Sequence, residues 1–347
     1  MKKLSLIVLA LAATSLTACG SQGGSGDSRD AIHAVGSSTV YPFARTVSET
    51  FSREYPEFPA ANIESIGTGG GIATFCSGIG FNTPDFANAS RRMKLGEFET
   101  CAENGVTEIV EIQVGMDGIA FASAQGGIDM ALTPELVYRA LAANPYGEEQ
   151  TATNWNDVDP SLPDLPILVY GPPSTSGTRD ALAELVLEVG CDANADMAAI
   201  KEADEERHDR ICTEVRSDGA YVDQGEQDNL IVQKIEGNPN AVGVFGYSYL
   251  EANADRVQGL SMNGVQPTYD NISSFAYPGA RPLYLYLKKA HVGIIPGIEE
   301  FLTTWVANWG QDGSLAQIGL VANRGEVMDR MAAATTEMPV LTAEDLK

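Results

Sequence analysis

The chain has 347 residues, and 47 Asp plus Glu against 22 Lys plus Arg give a formal net charge of −25. So acidic a surface repels the phosphates of nucleic acid and excludes that class of partner; any small anion it binds must be held by local donors, not by a basic field. The length suits two domains, each with residues enough for a core.

Lys2 and Lys3 precede an apolar run from Leu4 to Ala13, too short to span a bilayer, and small residues then lead to Cys19. This predicts a cleaved signal over 1–18. Leu16-Thr17-Ala18-Cys19 resembles the bacterial lipobox, which implies a lipid on Cys19. Residues 19–31, rich in Gly and Ser, read as a lipidated flexible tether. Four further cysteines, Cys76, Cys101, Cys191 and Cys212, suggest disulfides in an exported chain. Three connectivities are open. The local one, Cys76–Cys101 with Cys191–Cys212, is preferred because it closes short loops within separate lobes. Metal binding is the rival; it has no C-x-x-C pair, and His33, His208 and His291 are scattered. No metal or cofactor is therefore expected.

Ala31–Val35 reads as a strand. From Pro42, apolar residues at Phe43, Val47, Phe51 and Tyr55 mark a helix face, with Ser38 or Thr39 as cap. A strand at Ile63–Ile66 leads through Gly67-Thr68-Gly69-Gly70-Gly71 into a helix at Ile72–Cys76. Strands are expected at Ile109–Val114 and Gly118–Ala122, and a helix at Thr133–Asn144. After a strand at Ile167–Tyr170, Leu182, Leu185, Val186 and Val189 face one side of a helix stopped by Gly190. Strands at Val242–Phe245 and Pro282–Leu287 and a helix at Ile298–Trp309 complete the alternation, which predicts an α/β class with largely parallel sheets.

Three segments share a strand, a loop of Gly, Ser and Thr, and a helix: Gly36-Ser37-Ser38-Thr39-Val40, Gly67 to Gly71, and Ser174-Thr175-Ser176-Gly177-Thr178-Arg179. Helix amino termini offer unpaired N–H groups and positive potential, glycine allows close approach, and hydroxyls add donors. A single such loop is commonly only a cap. Three after strands mark an anion site at the carboxyl ends of a sheet. Arg179 sits in a first helical turn, where a cation is unfavourable without an anion beside it; Arg91 follows another strand. Surface ion pairing is the ordinary fate of a lone arginine, and core packing that of Tyr41, Tyr247 and Tyr249.

GSSTVYPF (36–43), GTGGGIATFC (67–76), ANASRRMK (87–94), YGPPSTSGTR (170–179) and YPGARPLYLYLK (277–288) together resemble the phosphate-binding lipoproteins of Pst-type ABC transporters, from about residue 33 to about residue 325. The resemblance implies a type II periplasmic-binding-protein fold, two α/β lobes joined by two crossover strands, with phosphate held between them. Lobe one is expected at 32–113 plus 281–347 and lobe two at 114–280, with crossovers at Val114–Ile119 and Tyr277–Leu283. It further implies phosphate contacts from Ser38, Thr39, Val40, Thr68, Ser176, Gly177 and Thr178. The family's proton-accepting aspartate falls at Arg91 and one of its arginines at Pro172. Arg91 and Arg179 are accordingly expected as anion ligands, and Asp228, otherwise a plain helix cap, as the replacement acceptor.

The expected partners are inorganic phosphate, an inner-membrane ABC permease, and a bacterial membrane through the lipid, with the protein a monomer on the periplasmic side or at the cell surface. A binder of another oxyanion such as sulfate is the alternative within the class. A secreted phosphatase would need Ser38, Thr39 or Ser176 beside a base or metal cluster, and the histidines lie outside the three loops; no enzyme activity is expected.

Overall fold

A computed structural model describes residues 29–225 and 228–347. The expected signal, the lipidation at Cys19 and the tether through residue 28 lie outside the described residues.

The described residues form nine strands: β1 (His33–Gly36), β2 (Asn62–Ser65), β3 (Phe86–Ala89), β4 (Ile109–Ala124), β5 (Val169–Gly171), β6 (Tyr221–Asp223), β7 (Val242–Gly246), β8 (Val257–Gly259) and β9 (Ala280–Lys288). Their order is β2-β1-β3-β9-β4-β7-β5-β6, with β8 on β4. β1 pairs in parallel with β2 and β3, and β5 with β6 and β7. The two parallel groups are joined by the antiparallel pair β4 and β9, registered from Ile109↔Lys288 to Gly118↔Ala280. The first ten residues of β4 lie beside β9, and Ile119–Ala122 then pair with β7. This is the α/β fold with crossover strands that the sequence predicts. The two strands expected at Ile109–Val114 and Gly118–Ala122 are one, merely shifted in register between Gln113 and Gly115.

Period-two alternation sorts the first group's core into two faces. Leu283, Leu285 and Leu287 of β9 join Val110, Ile112 and Phe86 under the helices Tyr41–Glu54 and Ile298–Asn308. Tyr284 and Tyr286 turn to the other face, with Ile72, Phe75 and Met93. A third cluster, built on Phe121, Val169, Val244 and Phe245, fills the other group.

Three local expectations change. Gly190 does not stop its helix, which runs on through Asp192. A Cβ there would strike the backbone of Pro134, so the glycine serves close helix packing. The helix opened by Thr133, whose side chain accepts from the Leu136 N–H at 3.1 Å, ends at Leu141 because Ala142 turns extended and bridges to Val215. The helix expected at Ile72 begins earlier, at Thr68. Both local disulfides are formed, Cys76–Cys101 with Cα atoms 4.2 Å apart and Cys191–Cys212 at 5.4 Å.

Candidate functional site

The first and third loops meet where β1 and β5 end, as open α/β sheets place their ligand sites, and the second, after β2, lines the cleft next to it. Neither Ser38 nor Thr39 caps the first helix: Val40 stands at its N-cap without a side-chain bond, and Pro42 occupies the first turn. The two hydroxyls are instead turned toward the opposite group of strands. Ser38 Oγ donates to the Asp180 carboxylate, and Thr39 Oγ1 lies 3.4 Å from the Gly177 carbonyl. Ser176 caps the helix Gly177–Leu182, its Oγ accepting from the Thr178 N–H at 3.2 Å. Gly177 is required here by contact, since a Cβ on it would lie 2.9 Å from the Thr39 Cα.

Ser38, Thr39, Ser176, Gly177, Thr178 and Asp228 line one cleft of about 230 Å³. Asp228 opens the helix Asp228–Glu236 and accepts from the Gly246 N–H at 3.1 Å. Thr68 and Arg91 line a neighbouring cleft of about 680 Å³. Thr68 Oγ1 is 2.9 Å from Ser90 Oγ, and the Arg91 guanidinium is forked onto Glu97 at 2.7 and 2.9 Å. Val40 is fully buried, leaving only its backbone to offer. Arg179 is not among the residues lining either cleft. Its guanidinium lies 4.6 Å from the Tyr221 ring centre and 3.6 Å from Asp223, so a carboxylate of the chain itself supplies the anion beside this first-turn cation.

Two residues that sequence reasoning did not single out stand at the junction of the clefts. Asp117 on β4 and Arg281 on β9 are directly opposite in register. Arg281 is 4 % exposed and distributes its donors three ways: Nε to Asp117 Oδ2 at 3.1 Å, Nη2 to Thr39 Oγ1 at 2.7 Å, and Nη1 to the Glu184 carboxylate. Asp117 faces the smaller cleft and Arg281 the larger. Burial pushes the Asp117 carboxyl above its usual range, with Arg281 opposing. The signal was available in the sequence. Asp117 is the one acid in the run Val114–Ala124, and Arg281 a lone cation before Pro282–Leu287.

For metals, the described residues bring Cys191, His208 and Cys212 within 4.8 Å of one another, and likewise Glu188, His208 and Asp209. Glu188 and Asp209 line the larger cleft, which Thr68 also lines.

Two α/β groups of strands sharing crossovers, with hydroxyl-bearing loops facing each other across a cleft, define a two-lobed solute-binding protein of type II periplasmic-binding topology. A family model described as the PBP superfamily domain matches residues 21–308, and the chain belongs to that superfamily. The protein SphX of Synechococcus elongatus is 31% identical over 278 residues, which cover 76% of this chain and 71% of that one. The phosphate-binding protein PstS of Staphylococcus saprophyticus is 28% identical over 314 residues, 88% of this chain and 85% of the other. A solved structure of a possible phosphate binding protein from Planctomyces limnophilus shares the fold, with a TM-score of 0.69 at 24% identity over 89% of this chain and 99% of that one.

Proposed function

We propose that the protein captures inorganic phosphate between its lobes and delivers it to an ABC-type importer. The observation that carries this reading is the meeting of Ser38 and Thr39 with Ser176 and Thr178 in one small cleft, beside a buried guanidinium that already donates to Thr39. The names of the relatives point the same way. Lobe one comprises 32–113 plus 281–347 and lobe two 114–280, so that Thr39 and Ser176 belong to different lobes. Closure excludes water and strengthens each donor contact.

The ligand set is Ser38, Thr39, Val40 through its backbone, Thr68, Ser176, Gly177 and Thr178, to which we add Arg281. Arg281 supplies the buried guanidinium that the departure at Pro172 removes. Arg91 contributes from the adjoining cleft, and Arg179, engaged with Asp223 and the Tyr221 ring outside both cleft linings, is left out of this set. Asp117 and Asp228 are the carboxylates facing the smaller cleft. Either can accept a hydrogen bond from a protonated phosphate, whereas fully ionised sulfate offers no proton and would set lone pair against lone pair. This favours phosphate over the sulfate alternative.

Among the described residues no helix is long and apolar enough to cross a membrane. Attachment would therefore rest on the lipid at Cys19, with the protein monomeric outside the cytoplasm; Cys19→Ala should release it from membranes into the soluble fraction. The test of the ligand is calorimetric titration of the ligand-stripped protein with phosphate and with sulfate from pH 5 to 9. Phosphate binding with little heat from sulfate is expected. Equal binding of the two would make the protein a general oxyanion carrier, and binding of neither would overturn the reading.

A further inference from the structure

Behind the larger cleft, the helices Glu188–Asp192 and Glu205–Thr213 pack with their cysteines and a histidine in one buried cluster. His208 and Cys212 are four residues apart and share one helical face. His208 Nε2 lies 3.3 Å from Cys212 Sγ and 2.7 Å from Asp192 Oδ1. Cys191, His208 and Cys212 are all fully buried, yet the buried His208 Nδ1 has no hydrogen-bond partner. Asp209 Oδ1 approaches that nitrogen only to 3.7 Å. Asp192, 38 % exposed in its side chain, opens the cluster to solvent, and Glu188 and Asp209 line the larger cleft beside it. Lys201 holds Glu188 at 2.7 Å and Asp192 at 3.4 Å.

Two sulfurs, one imidazole and one carboxylate are a tetrahedral donor set for a soft divalent cation such as zinc. In the oxidised chain the sulfurs are spent on each other and offer no thiolate. We propose that Cys191, Cys212, His208 and Asp192 form a thiol-switched zinc site, closed by the disulfide and opened by its reduction. A dithiol donates two electrons and two protons to the Cys191–Cys212 bond and becomes a disulfide itself. The two thiols then surrender those protons as the cation binds, so affinity rises with pH. The two sulfurs and the imidazole already lie within 4.8 Å of one another, and Asp192, outside that group, must swing onto it. Thiolates bound tetrahedrally at about 2.3 Å lie roughly 3.8 Å apart, so the sulfurs need to part by about 1.7 Å from a disulfide. Asp192 already sits on the imidazole nitrogen that would face the metal, and Lys201 must release it. The other disulfide, Cys76–Cys101, belongs to no such cluster among the described residues and serves as an internal control.

The experiment uses the full-length protein reduced with dithiothreitol, freed of it under argon, and titrated with Co²⁺ while thiolate-to-cobalt charge-transfer absorption is recorded; Zn²⁺ is then added in competition. The expected result is one cobalt per chain, displaced by zinc, with no band in the oxidised protein. Cys76→Ser/Cys101→Ser should keep the band, Cys191→Ser/Cys212→Ser should lose it, and His208→Gln should bind at least about tenfold more weakly. If reduction loosens the fold, the unfolding midpoint gives the second readout: Zn²⁺ should raise it for the reduced wild type and not for Cys191→Ser/Cys212→Ser. No thiolate band in the reduced protein, or a band that survives Cys191→Ser/Cys212→Ser, overturns the proposal. Phosphate binding is read on the oxidised chain, in which the disulfide keeps the zinc site closed, so neither outcome decides it.

Discussion

Arg281 has a buried guanidinium whose donors already reach a carboxylate on each side and the Thr39 hydroxyl between them. A charge so placed cannot be removed cheaply: truncating one partner of a buried charged hydrogen bond costs about 2–5 kcal/mol, much of it from the partner left unpaired. Arg281→Gln should therefore lower the stability of the fold by that order in chemical denaturation, and weaken phosphate binding in titration calorimetry by about 1.5–3 kcal/mol for the lost charged donor. Thr178→Val should cost about 1–2 kcal/mol for one lost donor. Arg179→Ala should cost less than either, because its guanidinium is engaged with Asp223 and the Tyr221 ring. A loss at Arg179 equal to that at Arg281 would put Arg179 back among the ligands. Selectivity belongs to the carboxylates. Asp117→Asn and Asp228→Asn each keep the volume and remove the charge, and the variant in which sulfate approaches phosphate in affinity identifies the acceptor. If discrimination survives in both, another group reads the ligand's proton.

At the scale of elements, the site is made by one contact between two strand–loop–helix units. Gly177 meets Thr39 so closely that Gly177→Ala must push the loops apart. The loops carry most of the ligand donors, so that variant should lose phosphate affinity about tenfold or more through geometry alone, with its unfolding midpoint nearly unchanged; an unaltered affinity would mean that the lobes close elsewhere. The loops were legible in the sequence because glycine, hydroxyl and helix pattern are local signals. Those signals mark the segments, the family resemblance singles out Ser38, Thr39, Ser176 and Thr178 within them, and the structure brings these four together. Arg281 and Asp117 were not. Their partnership spans 164 residues and exists only because β4 and β9 lie antiparallel in one register. Gly190 misled for the converse reason. A glycine after an apolar helical face reads as a stop, and only the packing of Pro134 against it shows why it lies inside the helix. The alternation of strands and helices, which sets the fold class, needs no such distant information.

For the whole molecule, a formal charge of −25 makes the folded state repel itself, and more so as pH rises and remaining cations titrate. One buried group works against that trend. Lys288 is fully buried against the Phe75 ring, donates to Thr83 Oγ1 at 2.7 Å, and lies in a cluster where Asp85 is bonded by Arg29, His291 and the His33 N–H. Burial pulls its amine down to about 7, against the pull of Asp85, while in an unfolded chain it titrates near 10.4. Below pH 7 the lysine is charged in both states, and the fold bears the full cost of burying that charge, on the order of 4 kcal/mol. Between about pH 7 and 10 the unfolded chain binds more protons than the folded one, so this cost fades and stability rises with pH. Self-repulsion between exposed charges is screened over about 8 Å at physiological ionic strength, so at that salt the buried lysine should dominate this window. Lys288→Met keeps the stem on Phe75 and removes the amine. Chemical denaturation at pH 6 and pH 10 should show the variant more stable than wild type by a few kcal/mol at the lower pH and the difference largely gone at the higher. A difference that stays constant across the range would mean that Lys288 is charged in the fold throughout, with Asp85 as its full counter-ion.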